Sequence, residues 1–150
     1  MSVVIAVRDE RGWVMAGDGQ VNSQDWAFAL ATRKVRRIVA QDDGELGMPL
    51  LVGAVGMGSL PSRWMDGMCT LDNEGSAAAV MRRTCREAGC KGVLDEPGGV
   101  RHWDVEGLLV RSGRLFFIES SGWAEEIRDD MAAIGSGAQA ATAAYARLRV

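Results

Sequence analysis

Ser2, Asp18 and Lys34 are the residues of this 150-residue chain whose types could break a bond together. A chain that begins with serine carries a hydroxyl and a free α-amine on one residue. Such an amine, with an ordinary pKa of about 7.7–8, accepts a proton near neutrality. It can therefore activate the hydroxyl without any histidine. A lysine ammonium nearby favours the deprotonated forms of both groups, and a carboxylate holds that lysine in place. Ser2 follows the initiator methionine, and a small second residue favours removal of Met1. Taken singly the three residues are ordinary. Serine is common at position 2, Asp18 between Gly17 and Gly19 reads as a turn former, and Lys34 sits in a basic run that is usually solvated. Their chemistry requires neighbouring strands that bring all three to one end of a sheet.

Other catalytic designs find little support. His102 is the only histidine and no serine stands in a Gly-x-Ser-x-Gly turn, which argues against a Ser-His-Asp triad. The glycines Gly53, Gly56 and Gly58 have the wrong spacing for a phosphate loop and no Gly-Lys-Ser/Thr follows them. Cys69, Cys85 and Cys90 are an odd number without a Cys-x-x-Cys pair, so they read as reduced thiols and not as a disulfide framework or metal site. No metal and no cofactor are expected. The net charge of −3 argues against a nucleic-acid partner, because phosphate binding needs a concentrated basic surface. No stretch approaches the ~20 apolar residues that span a bilayer. The opening residues lack a basic n-region and run into Arg8-Asp9-Glu10-Arg11, so they read as a first strand and the protein as cytoplasmic.

The elements that must position the trio follow from hydrophobic patterning. Residues 2–16 read as a hairpin turning at Arg11-Gly12, followed by a turn at Gly17-Asp18-Gly19-Gln20. Lys34–Ala40 and Pro49–Val55 read as strands separated by a polar loop. One helix is predicted from about Ser59-Leu60-Pro61 to Thr70, where proline suits the first turn. A second is predicted from a Ser76 N-cap to Gly89. Residues 91–102 read as a loop, and Gly107–Arg111 with Arg114–Ile118 as a hairpin around Ser112-Gly113. Glu125–Met131 reads as irregular, and a last helix as running from about Gly137 to Leu148. Segregated runs of strands and helices predict a single α+β layered domain over residues 1–150.

Three stretches carry a resemblance to a known family. They are Ala16-Gly17-Asp18-Gly19-Gln20, Lys34-Val35-Arg36-Arg37, and Ile134-Gly135-Ser136-Gly137 with the following Ala138-Gln139-Ala140-Ala141. In register, order and neighbouring words the chain resembles HslV and, more distantly, the proteasome β subunits. In that family the aspartate and lysine follow the nucleophile by the same sixteen and thirty-two positions that separate Asp18 and Lys34 from Ser2. The resemblance runs from residue 2 to about residue 145, with 59–105 matching in pattern only.

The resemblance implies an Ntn-hydrolase αββα four-layer sandwich, here C-terminally shortened because the family continues with a further helix and strands. It implies that Ser2 is the nucleophile in place of threonine, that Lys34 activates it and that Asp18 holds Lys34. Gly53 falls where a backbone N–H would meet the oxyanion, and Ser136 where a serine hydrogen-bonds near the amine. Leu51, Val55 and Asn22 fall at substrate-binding positions. Loss of the threonine methyl frees the hydroxyl rotamer and implies a slower enzyme. Peptide or unfolded protein would be the substrate, a homo-oligomeric ring the assembly and an AAA+ unfoldase a partner. The same likeness also admits a weakly active or inactive homologue acting in assembly or as a scaffold, such as one carried by a phage.

Overall fold

The computed structural model describes residues 2–18, 20–23, 26–29, 34–42, 45–68, 74–89, 92–94 and 101–149. A hairpin of β1 (Val4–Asp9) and β2 (Gly12–Gly17) opens the chain. A short ribbon of β3 (Gln20–Ser23) and β4 (Trp26–Ala29) follows, and then the long strands β5 (Val35–Asp42) and β6 (Glu45–Gly56). Helices α1 (Leu60–Gly67) and α2 (Glu74–Glu87) precede a small ribbon of β7 (Val93–Leu94) and β8 (Arg101–His102). The remainder is β9 (Val105–Arg111), β10 (Arg114–Glu119), β11 (Ala124–Ile127), β12 (Met131–Ile134) and α3 (Ala138–Leu148). The architecture is mixed α and β, with antiparallel sheets ordered β12-β1-β2 and β11-β10-β9-β6-β5.

Local chemistry explains the turns. Ser112 and Gly113, between β9 and β10, both have positive φ, at 52° and 73°. Two left-handed central residues make the type I′ geometry that matches the twist of a two-residue hairpin. Pro49 lies inside β6, lacks an N–H, and faces Val39 where the register of β5 shifts before Gln41. Pro61 occupies the first turn of α1, and Gly89, at φ 69°, follows the end of α2.

The alternation along β6 divides the interior in two. Val52 and Ala54 point with Leu109, Phe116 and Ile118 toward Trp64, Met65, Met68, Met81 and Cys85 on the helical side. Val55 points the other way, with Leu108 and Leu115, into a second core completed by Val4, Ala6, Ala132 and Ile134. The two sheets therefore pack face to face through the second core. Helices α1 and α2 cover the far face of the five-stranded sheet, and α3 lies along β12 and β1. Trp64 is fully buried and its Nε1–H donates to the Ala77 carbonyl at 3.0 Å, so its one polar atom is satisfied inside the helical core.

Several sequence expectations change. Strands β5 and β6 extend through most of the stretch read as a polar loop, and α2 begins at Glu74, before the expected cap at Ser76. Glu125–Met131, read as irregular, holds most of β11 and the first residue of β12. Their Ala-Glu-Glu-Ile and Met-Ala-Ala-Ile sequences have little intrinsic strand preference, and pairing with β10 and β1 overrides it. Cys85 is buried in the helical core, while Cys69 and Cys90 lie outside the described residues. Among the described residues no helix is long and apolar enough to cross a membrane, and no cluster of metal-ligating side chains occurs.

Candidate active site

Strand register builds the site. Val4 pairs with Gly17 of β2 and with Ile134 of β12. Extending both antiparallel registers outward sets Val3 against Asp18 and Ser2 against Ser136. The hydrogen bonds agree. Asp18 N–H donates to Val3 O at 3.2 Å, and Val3 N–H donates to Asp18 Oδ1 at 2.9 Å. Ser2 N–H donates to Ser136 Oγ at 2.9 Å, and Ser2 O accepts the Gly137 N–H at 3.0 Å. A one-residue slip of β1 would turn every one of its side chains to the other face and dismantle this arrangement.

Lys34 arrives from the second sheet, at the start of β5. Its ammonium donates to Ser2 Oγ at 2.6 Å and to Asp18 Oδ1 at 2.6 Å. Only 11 % of the Lys34 side chain and 27 % of Asp18 is exposed, so the pair is screened less than a surface salt bridge. Asp18 Oδ1 thus receives an ammonium proton and a backbone N–H together, which fixes the carboxylate and through it the lysine.

Glycines allow the close approach. A Cβ on Gly17 would lie 3.1 Å from Lys34 Cβ, and one on Gly53 would lie 2.6 Å from both Met15 Sδ and Val4 Cγ1. Gly135, at φ 91°, lies against Ser2, and a Cβ there would come within 2.3 Å of Ser2 O.

The remaining predicted site residues fall elsewhere. Ala54 N–H donates to Lys34 O at 3.0 Å, so the backbone of Ala54 faces β5. Neighbouring residues of a strand face opposite ways, so Gly53 N–H is directed at β9, across from its register partner Leu108. The role the geometry gives Gly53 is one of spacing: it lets β6 pass beneath Val4 and Met15. Gly53→Ala is accordingly expected to cost about 1–3 kcal/mol through overpacking, measured by chemical denaturation. An unchanged unfolding midpoint would refute the spacing role.

Val55 is 4 % exposed and belongs to the inter-sheet core, with Cγ1 3.3 Å from the Cβ position of Gly135. It is filled around, not open to a ligand. Leu51 lines an open groove of about 310 Å³ with Trp13, Arg37, Pro49 and Gly113. Trp13 is paired with Arg8, at the end of β1 opposite Ser2, so Leu51 stands away from Ser2. Asn22 falls in β3, and its side chain and Met1 lie outside the described part of the chain.

Sequence reading passed over Gly56. Gly56 N–H belongs to the peptide whose carbonyl, that of Val55, faces β9. The two groups of a trans peptide point oppositely, so this N–H faces the β5 side, beyond Lys34. Counting strand parity from Lys34 would have found it, but the pairing of Val35 with Gly53 has to be known first.

The sequence matches no protein-family model and no curated protein. Solved structures do match. The chain is similar to BPH of Thiobacillus denitrificans, solved in complex with epoxomicin, with a TM-score of 0.69 at 18% identity over 99% of this chain and 80% of that one. HslV of Trypanosoma brucei matches with a TM-score of 0.59 at 21% identity, over 97% of this chain and 78% of its own. Anbu of Pseudomonas aeruginosa, solved as a helical assembly, matches with a TM-score of 0.60 at 16% identity, over 90% of this chain and 61% of its own. The fold is that of the proteasome- and HslV-like N-terminal-nucleophile hydrolases. At these identities the likeness establishes the fold, and function rests on the residues.

Proposed function

We propose that this chain is a peptidase subunit that hydrolyses peptide bonds through Ser2 once Met1 has been removed. The observation that carries the proposal is the Lys34 ammonium standing 2.6 Å from both Ser2 Oγ and Asp18 Oδ1. A lysine held by a carboxylate and aimed at a terminal hydroxyl suits nucleophile activation and has no evident structural purpose. The two packed sheets, with α1 and α2 on one side and α3 on the other, support the αββα four-layer reading of the fold.

The chemistry runs as acyl transfer. The free α-amine of Ser2 takes the hydroxyl proton as Oγ attacks the peptide carbonyl, while the Lys34 cation favours negative charge at Oγ. Gly56 N–H is the donor we assign to the tetrahedral oxyanion, a contact worth roughly 3 kcal/mol where one has been removed in other enzymes. The intermediate collapses to a Ser2 ester, and the α-ammonium returns its proton to the departing amine. Water then attacks the ester, with the amine again as base, and releases the acid. Ser136 Oγ, 2.9 Å from Ser2 N, orients the amine. Peptide or unfolded protein is the proposed substrate. A homo-oligomer is the proposed assembly, in keeping with the helical assembly of the similar Anbu, and a ring is its proposed form. An unfoldase partner and a cytoplasmic location accompany this reading.

A peptide epoxyketone tests it. Its ketone accepts the hydroxyl and its epoxide the amine, so a stable cyclic adduct needs both groups on one residue. Protein made without a tag is expected to show the mass of the chain lacking Met1, and to gain one inhibitor mass that maps to Ser2. A chain that keeps Met1 and gains no mass would sink the proposal and favour the scaffold alternative.

A further inference from the structure

We infer that two copies of this chain join through the outer edge of β2, merging their three-stranded sheets into one continuous sheet about a two-fold axis at Met15. Among the described residues β2 pairs only with β1 and forms the edge of its sheet. Asp18 N–H donates to Val3 O, so the backbones of Asp18, Ala16, Val14 and Gly12 face β1. Trp13, Met15 and Gly17 therefore present their N–H and C=O groups outward.

Sheet edges of soluble proteins are normally guarded by charge, proline, a bulge or a cover. This one is Gly-Trp-Val-Met-Ala-Gly, without charge or proline, in unbroken register with β1. Val14 is 58 % exposed, and Ala16 and Gly17 are exposed as well. The side chains of Trp13 and Met15 pack inward against the inter-sheet core, so the rim itself is slim.

The spacing of the outward groups selects the occupant. In an antiparallel pairing centred on Met15, Met15 meets the partner's Met15, and Trp13 meets the partner's Gly17. All three outward residues then fall at hydrogen-bonded positions, and every outward N–H and C=O is used. Val14 falls opposite the partner's Ala16 at a non-hydrogen-bonded position, where Cα atoms approach to about 4.5 Å. Two exposed apolar side chains cover each other there, and no charge is buried. A second copy of the same strand is thus the complement of this edge.

The inference goes beyond the peptidase reading, and its test does not depend on Ser2 chemistry. Sedimentation of the parent chain is expected to give a dimer or an even multiple of it. V14K/A16K places lysine opposite lysine and is expected to halve that mass while the chain still melts cooperatively, because both positions are exposed on the single chain and only the stabilisation from association is lost. V14K/A16E places opposite charges across the axis and is expected to restore the mass. V14C/A16C, oxidised, is expected to yield a covalent dimer that V14C or A16C alone does not, since disulfide geometry requires this register. A monomeric parent, a parent mass retained by V14K/A16K, cross-linking by either single variant, or a monomer that instead takes up an extended peptide at β2 would each overturn the inference.

Discussion

Lys34→Ala is expected to lower the rate of epoxyketone adduct formation, and of peptide hydrolysis, by about 10³-fold or more, the scale seen when one member of a nucleophile–base set is removed. The ammonium donates to both Ser2 Oγ and Asp18 Oδ1. Alanine removes the charge that favours an ionised oxygen, and leaves the Asp18 carboxylate facing that oxygen. Lys34→Arg is not expected to rescue the rate. The guanidinium is planar and bulkier than a point ammonium, and it cannot place one compact charge on both Ser2 Oγ and Asp18 Oδ1 as the ammonium does. Thermal melting of each variant separates loss of chemistry from loss of fold. Lys34→Ala protein that melts cooperatively and still reacts at the parent rate would remove Lys34 from the mechanism.

Gly135→Ala is expected to reduce activity on the order of 10²-fold, the cost of displacing a reacting group by about 1 Å. Gly135 has φ 91°, a region that disfavours any Cβ, and its Cβ would stand 2.3 Å from Ser2 O and 3.0 Å from Ser2 C. Those atoms are backbone and cannot rotate away. Relief must come from moving Ser2, and with it the hydroxyl that Lys34 holds. Gly89→Ala is the control. Its φ is 69°, similarly strained, but nothing lies within 4 Å of the new Cβ. Both variants should lose about 1–3 kcal/mol of stability through backbone strain, and only Gly135→Ala should lose activity. Equal activities in the two variants, assayed at matched folded concentration, would refute a positioning role for Gly135.

Much of the fold was legible because it is written in local pattern. The β1–β2 hairpin, the Ser112-Gly113 turn, the proline at the start of α1 and the glycine after α2 are consequences of side-chain alternation and of φ values that few residues adopt. Strands β11 and β12 were not legible, since Ala-Glu-Glu-Ile and Met-Ala-Ala-Ile become strands only when β10 and β1 offer them partners. The same division runs through the site. The types and spacing of Ser2, Asp18 and Lys34 could be picked out on the chain itself. The side-chain readings at Val55 and Leu51 did not follow from spacing, because alternation turns one into the inter-sheet core and distance carries the other to the far end of β1.

The amino-acid order by itself determined which groups are present and how far apart they stand along the backbone: a hydroxyl at position 2, a carboxylate after a turn, an ammonium at the head of a strand. Tertiary structure alone decided which way each group points. The direction of a peptide N–H reverses at every residue of a strand, so whether the amide of Gly53 or of Gly56 faces the β5 side depends on a pairing with β5 that no local pattern encodes. Likewise, Ser136 stands beside Ser2 only because Val4 meets Ile134 across a sheet, a contact between residues at opposite ends of the chain.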